Sequence, residues 1–244
     1  MSTPWYAHWF NTPYYHDLYK HRDDHEALRF IKELCTKLHV KNGESALDMA
    51  CGRGRHARVL SELGLRTVGV DLSPESIDYA RQFEHKHLRF EVGNMLKELP
   101  LGPFDWVMNL FTSFGYFEDD TSHELAIKNM ANTLKPNGRL VMDFMNTGKI
   151  TENLIPDDVV HTDMATYQIT RKIEKGYIVK NISVNHNSNI SKFEERVRAF
   201  SANDFKNMLE KAGLDVVEIA GDYDLSSYSE KSSNRMVIIA KKSQ

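Results

Sequence analysis

Ala46-Leu47-Asp48-Met49-Ala50-Cys51-Gly52-Arg53-Gly54-Arg55-His56 decides how this chain is read. An apolar run ends at Met49, two glycines turn the chain, and a helical pattern starts at Arg55. Glycine takes backbone angles that other residues resist and lets the main chain approach a ligand closely. A helix N-terminus adds N–H groups with no partner of their own. Strand, glycine turn and helix in this order predict a ligand-binding βα unit. With Ala57 the glycines even complete the dinucleotide pattern G-x-G-x-x-A.

Charge separates the possible ligands. Asp48 stands at the strand end, directly before the loop. A carboxylate there repels a pyrophosphate and attracts a ligand with an ammonium and a sulfonium, such as S-adenosylmethionine. The same Asp48 has a second reading, as a cap on the following loop. The next strand pattern, residues 66–70, ends on Asp71, which is placed to accept both hydrogen bonds of a ribose diol. Asp71 is equally placed to cap the helix that starts with Ser73-Pro74. After residues 88–92, Gly93-Asn94-Met95 offers an amide for an adenine amino group and a thioether to pack on the ring. Asn109-Leu110-Phe111-Thr112-Ser113 ends the strand pattern at 104–110. Ligands of open α/β sheets bind at the carboxyl edge of the strands, where all four stretches belong.

Strand and helix patterns alternate from residue 45 to residue 145, as βαβ units and a parallel sheet require. Helices are expected at 23–38, 55–63, 73–85 and 119–134. Lys135-Pro136-Asn137-Gly138 reads as a turn before a fifth strand at 139–145. Beyond Asn146 the rhythm changes to alternating segments at 166–173, 177–184 and 193–200, which predict a small antiparallel sheet. A helix at 202–212 and strands at 215–219 and 235–240 close the fold. The first twenty residues hold Trp5, Tyr6, Trp9, Phe10, Tyr14, Tyr15 and Tyr19, and read as an arm packed on the main body. The expected organisation is an arm at 1–21, a main domain at 22–146 with 201–244, and an insertion at 147–200.

Composition excludes several classes. With 31 basic and 34 acidic residues, a net charge of −3 and 41% hydrophobic residues, the chain is an ordinary globular protein, without the basic excess of a nucleic-acid binder. No run approaches a membrane span, and residues 1–10 lack the pattern of a secretory signal. Two cysteines, Cys35 and Cys51, read as free thiols of a cytoplasmic protein. His16, Asp17, His21, Asp24 and His25 lack the H-E-x-x-H form and read as solvated polar residues, so no metal is expected.

Together the motifs resemble the class I S-adenosylmethionine-dependent methyltransferases. Leu47-Asp48-Met49-Ala50-Cys51-Gly52-Arg53-Gly54 is similar to their first motif, L-D-x-x-C-G-x-G. Asp71 matches the acidic ribose ligand of the second, and Asn94 stands where the third commonly has Asp. Phe104-Asp105-Trp106-Val107 matches F-D-x-V, and Leu134-Lys135-Pro136-Asn137-Gly138 resembles L-K-P-G-G. The resemblance implies a doubly wound, seven-stranded, mostly parallel sheet with a small antiparallel β insertion and an N-terminal arm. It implies S-adenosylmethionine as cofactor, held by Tyr15, Arg22, Asp48, Ala50, Cys51, Gly52, Gly54, Asp71, Leu72, Asn94, Met95, Asn109 and Leu110. Within that set Tyr15 covers the sulfonium and Arg22 reaches the methionine carboxylate.

The acceptor side is less defined. Methyl transfer from a sulfonium is an in-line displacement that needs alignment and exclusion of water, and a general base only for a protonated nucleophile. The catalytic candidates are Tyr15, Asp143 and His161, with Asn146 and Tyr116 as further residues able to face an acceptor; each is also readable as a capping or packing residue. Arg196, Arg198 and Arg235 are placed to meet an anionic substrate or simply to face solvent. Gly221-Asp222-Tyr223-Asp224-Leu225-Ser226-Ser227-Tyr228 is a candidate lid or pocket wall. The expected partner is a small-molecule methyl acceptor, with no nucleic acid or membrane, in a monomer or homodimer. An NAD(P)-dependent oxidoreductase and a non-catalytic cofactor-binding module are the alternatives.

Overall fold

The computed structural model describes residues 4–20 and 24–243. The arm forms two short helices, α1 (Trp5–Trp9) and α2 (Pro13–Leu18). Thr12 caps α2 by accepting the Tyr15 N–H, with Pro13 at the first helical position. α3 (Asp24–Lys37) then leads into five strands with three α-helices among them: β1 (Ser45–Met49), α4 (Arg55–Glu62), β2 (Arg66–Asp71), α5 (Pro74–Ala80), β3 (Leu88–Val92), β4 (Phe104–Asn109), α6 (Asp120–Asn132) and β5 (Leu134–Met145). α7 (Thr147–Glu152) follows. Four strands come next: β6 (Asp157–His161), β7 (Thr166–Glu174), β8 (Tyr177–His186) and β9 (Asn189–Arg198). α8 (Ala202–Lys211), β10 (Leu214–Ala220) and β11 (Arg235–Lys242) complete the chain.

The larger sheet has the order β10-β11-β5-β4-β1-β2-β3. β3, β2, β1, β4 and β5 are parallel, and β11 runs antiparallel to both β5 and β10. Strand order reverses between β1 and β4, and the crevice at such a switch point is where open α/β sheets bind ligands. Both faces are covered. Phe30, Ile31 and Leu34 of α3 and Leu60 of α4 pack on one side with Met108 and Val141. Ile127 and Met130 of α6 and Phe205 and Leu209 of α8 pack on the other with Val107 and Phe144. Strands buried on both faces read as continuous apolar runs, as β4 and β11 do.

The smaller sheet is antiparallel, in the order β6-β7-β8-β9. It has one strand more than the alternating segments indicate: β6 is an edge strand of largely exposed residues, so it carries no alternation to read. The inner face presents Tyr167, Ile169, Ile182 and Val184 to Trp9 and Leu18 of the arm. The expected turn at 135–138 lies inside β5 instead. Leu134 pairs with Phe104 and Arg139 with Trp106, and the intervening residues bulge out, with Asn137 at φ 63°. No helix among the described residues is long and apolar enough to cross a membrane.

Candidate active site

The glycine loop is pinned to β2. Cys51 N–H donates to Val70 O at 3.0 Å and Gly52 N–H to Asp71 Oδ2 at 2.7 Å. Ala50, Gly52 and Gly54 all have positive φ, at 61°, 54° and 83°. The two glycines serve different ends. A Cβ on Gly54 would stand 2.5 Å from the Phe90 ring, so Gly54 is required for the loop to pack on β3. A Cβ on Gly52 would meet nothing within 4 Å, because Gly52 lines an open cavity of about 330 Å³.

That cavity runs from the carboxyl edge of the sheet to the arm. Ala50, Cys51, Asp71, Leu72, Asn94, Met95 and Leu110 line its floor with Gly52, and Tyr15 its far end. The Asp71 oxygens accept from Gly52 N–H and, at 2.9 Å, from Ser73 N–H, with the Leu72 N–H also bonded to the carboxylate, and Asp71 still lines the cavity. Both readings of Asp71 are therefore compatible. Asn94 turns the chain by accepting the Leu96 N–H.

Three expected cofactor residues are placed differently. Asp48 is buried beneath the loop rather than on the cavity wall. Burial pushes its carboxyl up to about 7, against the Ala57 N–H that it accepts, while its Oδ2 has no partner among the described residues. Gly54 lies outside the lining for the steric reason given. Asn109 is buried and donates to Met49 O at 3.0 Å and Ser113 O at 3.2 Å, so it ties β1 to the loop after β4 and stays behind the wall. Arg22 lies outside the described residues.

The acceptor-side expectations change more. Asp143 is buried and fully engaged: it pairs with Arg235 at 2.7 Å and accepts from Phe111 N–H at 2.8 Å and Tyr223 hydroxyl at 3.0 Å. It is not a free base, and Arg235 is not free to meet an anionic substrate. His161 sits on the exposed edge strand β6, hydrogen-bonded to Thr166 and away from the cavity. Asn146 is spent on Ser229, Glu230 and Ser233 carbonyls. Arg196 lies over the Tyr177 ring and Arg198 pairs with Asp120. The stretch 221–228 is no lid: Tyr223 packs against Phe30 at 4.4 Å, on the face of α3.

Tyr116 does line the cavity, with Phe111 and Ser113 of the stretch expected at the ligand edge, and with residues that the sequence alone did not single out for it: Tyr6, Phe10, Tyr19 and Phe117. Their signal was present in part, as the density of aromatics before residue 20. His16 and His56 also line it. Burial, reinforced by Arg53, pushes His16 down to about 4; burial, reinforced by Arg55, pushes His56 down to about 3. Both imidazoles are neutral at physiological pH.

Residues 46–138 match the model of a methyltransferase domain. These are the residues that carry the glycine loop, Asp71, Asn94 and the loop after β4. That domain, together with the fold, supports the class I S-adenosylmethionine-dependent methyltransferase superfamily. Glycine N-methyltransferase of Rattus norvegicus is 36% identical over 116 residues, which is 41% of this chain and 40% of that protein. The match thus spans well under half the length of that relative. A solved S-adenosylmethionine-dependent methyltransferase from Clostridium acetobutylicum has the same fold, with a TM-score of 0.79 at 23% identity, over 95% of this chain and 97% of that one. The sugar N-methyltransferase KedS8 from Streptoalloteichus sp has a TM-score of 0.72 at 20% identity, over 93% and 91%.

The methyltransferase fold accounts for the antiparallel β11 and for the switch point beneath the cavity. S-adenosylmethionine fits the residues present. The floor offers an acid at Asp71, an amide at Asn94, a flat apolar wall at Met95 and Leu110, and free space over Gly52. The oxidoreductase alternative is set aside by the family.

Proposed function

We propose that this methyltransferase acts on a small-molecule acceptor held between the N-terminal arm and the loop after β4. The observation that carries the reading is the continuity of one cavity from the glycine loop to a wall of Tyr6, Phe10, Tyr15, Tyr19 and Tyr116. Bound S-adenosylmethionine supplies a methyl group already activated by its sulfonium leaving group. In this reading Asp71 accepts from the ribose hydroxyls, Asn94 and Met95 hold the adenine, and Gly52 gives the ligand its close approach. Tyr15 and Tyr116 exclude water and orient the acceptor, which is the main demand of an in-line displacement. Residues 22–146 with 201–244 form the cofactor domain. The arm at 1–21 and the loop after β4 build the acceptor side, and the segment 147–200 backs the arm through Trp9 and Leu18.

Two relatives support a small acceptor by their names: one is a glycine N-methyltransferase, the other a sugar N-methyltransferase. The volume of about 330 Å³ is that of a small-molecule site. The test uses a cell extract, divided by size and incubated with the protein and methyl-labelled cofactor. Label is expected in the low-mass fraction and absent with Asp71→Ala. Label confined to protein or RNA would overturn the small-molecule acceptor.

A further inference from the structure

The two halves of the cavity differ in chemistry. Among the described residues, Asp71 is the one carboxylate in its lining, and it lies at the glycine-loop end, bonded to Gly52 and Ser73. The arm end is closed by rings. Tyr6 stacks on Tyr116 with centroids 6.0 Å apart and planes at 27°. Phe10 stands 4.9 Å from Tyr15 and 5.4 Å from Tyr116. Two of the tyrosine hydroxyls are committed: Tyr19 donates to Glu195 at 2.8 Å, and Tyr116 donates to Thr112 O. The Tyr15 hydroxyl makes no hydrogen bond to a described residue, and burial, with Glu195 nearby, raises its pKa and keeps it protonated.

The cations of the lining are each partnered with a carboxylate or a ring. Lys20 pairs with Asp17 at 3.4 Å and Asp163 at 3.6 Å. Arg53 lies 4.7 Å over the Tyr79 ring and Arg55 5.2 Å over the Phe111 ring. The arm end therefore presents aromatic faces, the open hydroxyls of Tyr6 and Tyr15, and two neutral imidazoles.

We propose that the acceptor is a small-molecule amine, methylated on nitrogen as its free base, with the Tyr15 hydroxyl accepting one of its N–H groups and so aiming the lone pair. The inference rests on the methyltransferase reading above. A hydroxyl acceptor must give up its proton as the new bond forms, and a base for it must lie within hydrogen-bond reach. No described side chain that lines the arm end carries a carboxylate; Glu195, outside the lining, is committed to Trp9, Tyr19 and Lys180, and His16 and His56 are depressed too far to hold that proton at neutral pH. A free amine needs no base. Its nitrogen lone pair forms the N–C bond while the S–C bond breaks and leaves its electrons on sulfur. One positive charge passes from sulfur to nitrogen and stays between the same aromatic faces, which attract a cation throughout. The ammonium product then releases its proton to water.

The test pairs amines with their hydroxyl counterparts: benzylamine with benzyl alcohol, glucosamine with glucose, and tyramine, which offers both groups. Each is incubated with the protein and S-adenosyl-[methyl-13C]methionine, and the labelled atom is assigned by NMR. Label is expected on nitrogen and absent from the alcohols. Tyr15→Phe is expected to lower kcat about tenfold, the worth of one hydrogen bond, with cofactor affinity unchanged, whereas a merely structural Tyr15 would move both. The inference is overturned by label on oxygen or carbon, or by unlabelled amines while calorimetry shows the cofactor bound. A protein that does not bind the cofactor would overturn the methyltransferase reading and this inference with it.

Discussion

Burial sets the proton on Asp48. Its carboxyl is pushed up to about 7 by desolvation, with Asp71 raising it further and the Ala57 N–H and Arg55 opposing. Between the ordinary carboxylate value near 3.8 and about 7, the folded chain holds a proton that the unfolded chain has lost. Stability from this group is full at low pH and declines as pH rises through that window. His16 and His56 act the other way: depressed to about 4 and about 3, they withdraw stability as pH falls below about 6.5. The Asp48 contribution is isolated by subtraction. The stability of the wild type minus that of Asp48→Asn, from denaturant unfolding, is expected to fall from pH 4 to pH 7 and then level; a flat difference would contradict the assignment. At this scale the sequence is informative about residue type and weak about placement. It puts an acid at the end of β1, and the charge argument for a cationic ligand follows. That the side chain tucks beneath the loop depends on how α4 starts, which no spacing rule supplies.

The loop after β4 shows how elements hold the cavity wall. Phe111 and Thr112 are consecutive non-glycine residues in the left-handed region, at φ 59° and 57°. Such a pair persists only where its surroundings fix it. Asp143 supplies that: its carboxylate accepts the Phe111 N–H and its carbonyl the Thr112 N–H at 2.9 Å. Arg235, paired with Asp143, also donates to Thr112 Oγ1 at 2.8 Å. These residues meet because β5 and β11 pair antiparallel, with Asp143 opposite Val237. Asp143→Ala leaves a buried guanidinium unpaired and is expected to cost about 3–5 kcal/mol in urea unfolding. A loss below about 1 kcal/mol would show that the pair does not hold the loop. The elements themselves were legible, since α3, α4, α6 and α8 carry apolar residues at helical spacing. The pairing of Asp143 with Arg235 was not, because the partners are remote in sequence. Glu195 is a parallel case. It accepts from Trp9 at 2.7 Å and from Tyr19, and so ties the arm to β9, yet nothing in its own neighbourhood of sequence marks it.

For the whole molecule, the parallel sheet and the smaller sheet could be read from alternation and motif order, and the cofactor followed from the same motifs. The acceptor side could not. It is assembled from the arm, the loop after β4 and the start of α4, and only the folded arrangement turns Tyr6, Phe10, Tyr15, Tyr19 and Tyr116 into one wall. The central claim is that the glycine loop and Asp71 serve an S-adenosylmethionine site. Calorimetric titration with S-adenosylmethionine, S-adenosylhomocysteine and NADH tests it most directly. Saturable one-to-one binding of both sulfur ligands, lost in Asp71→Ala, and no heat from NADH are the predicted results. Binding of NADH with no response to either sulfur ligand would contradict the account.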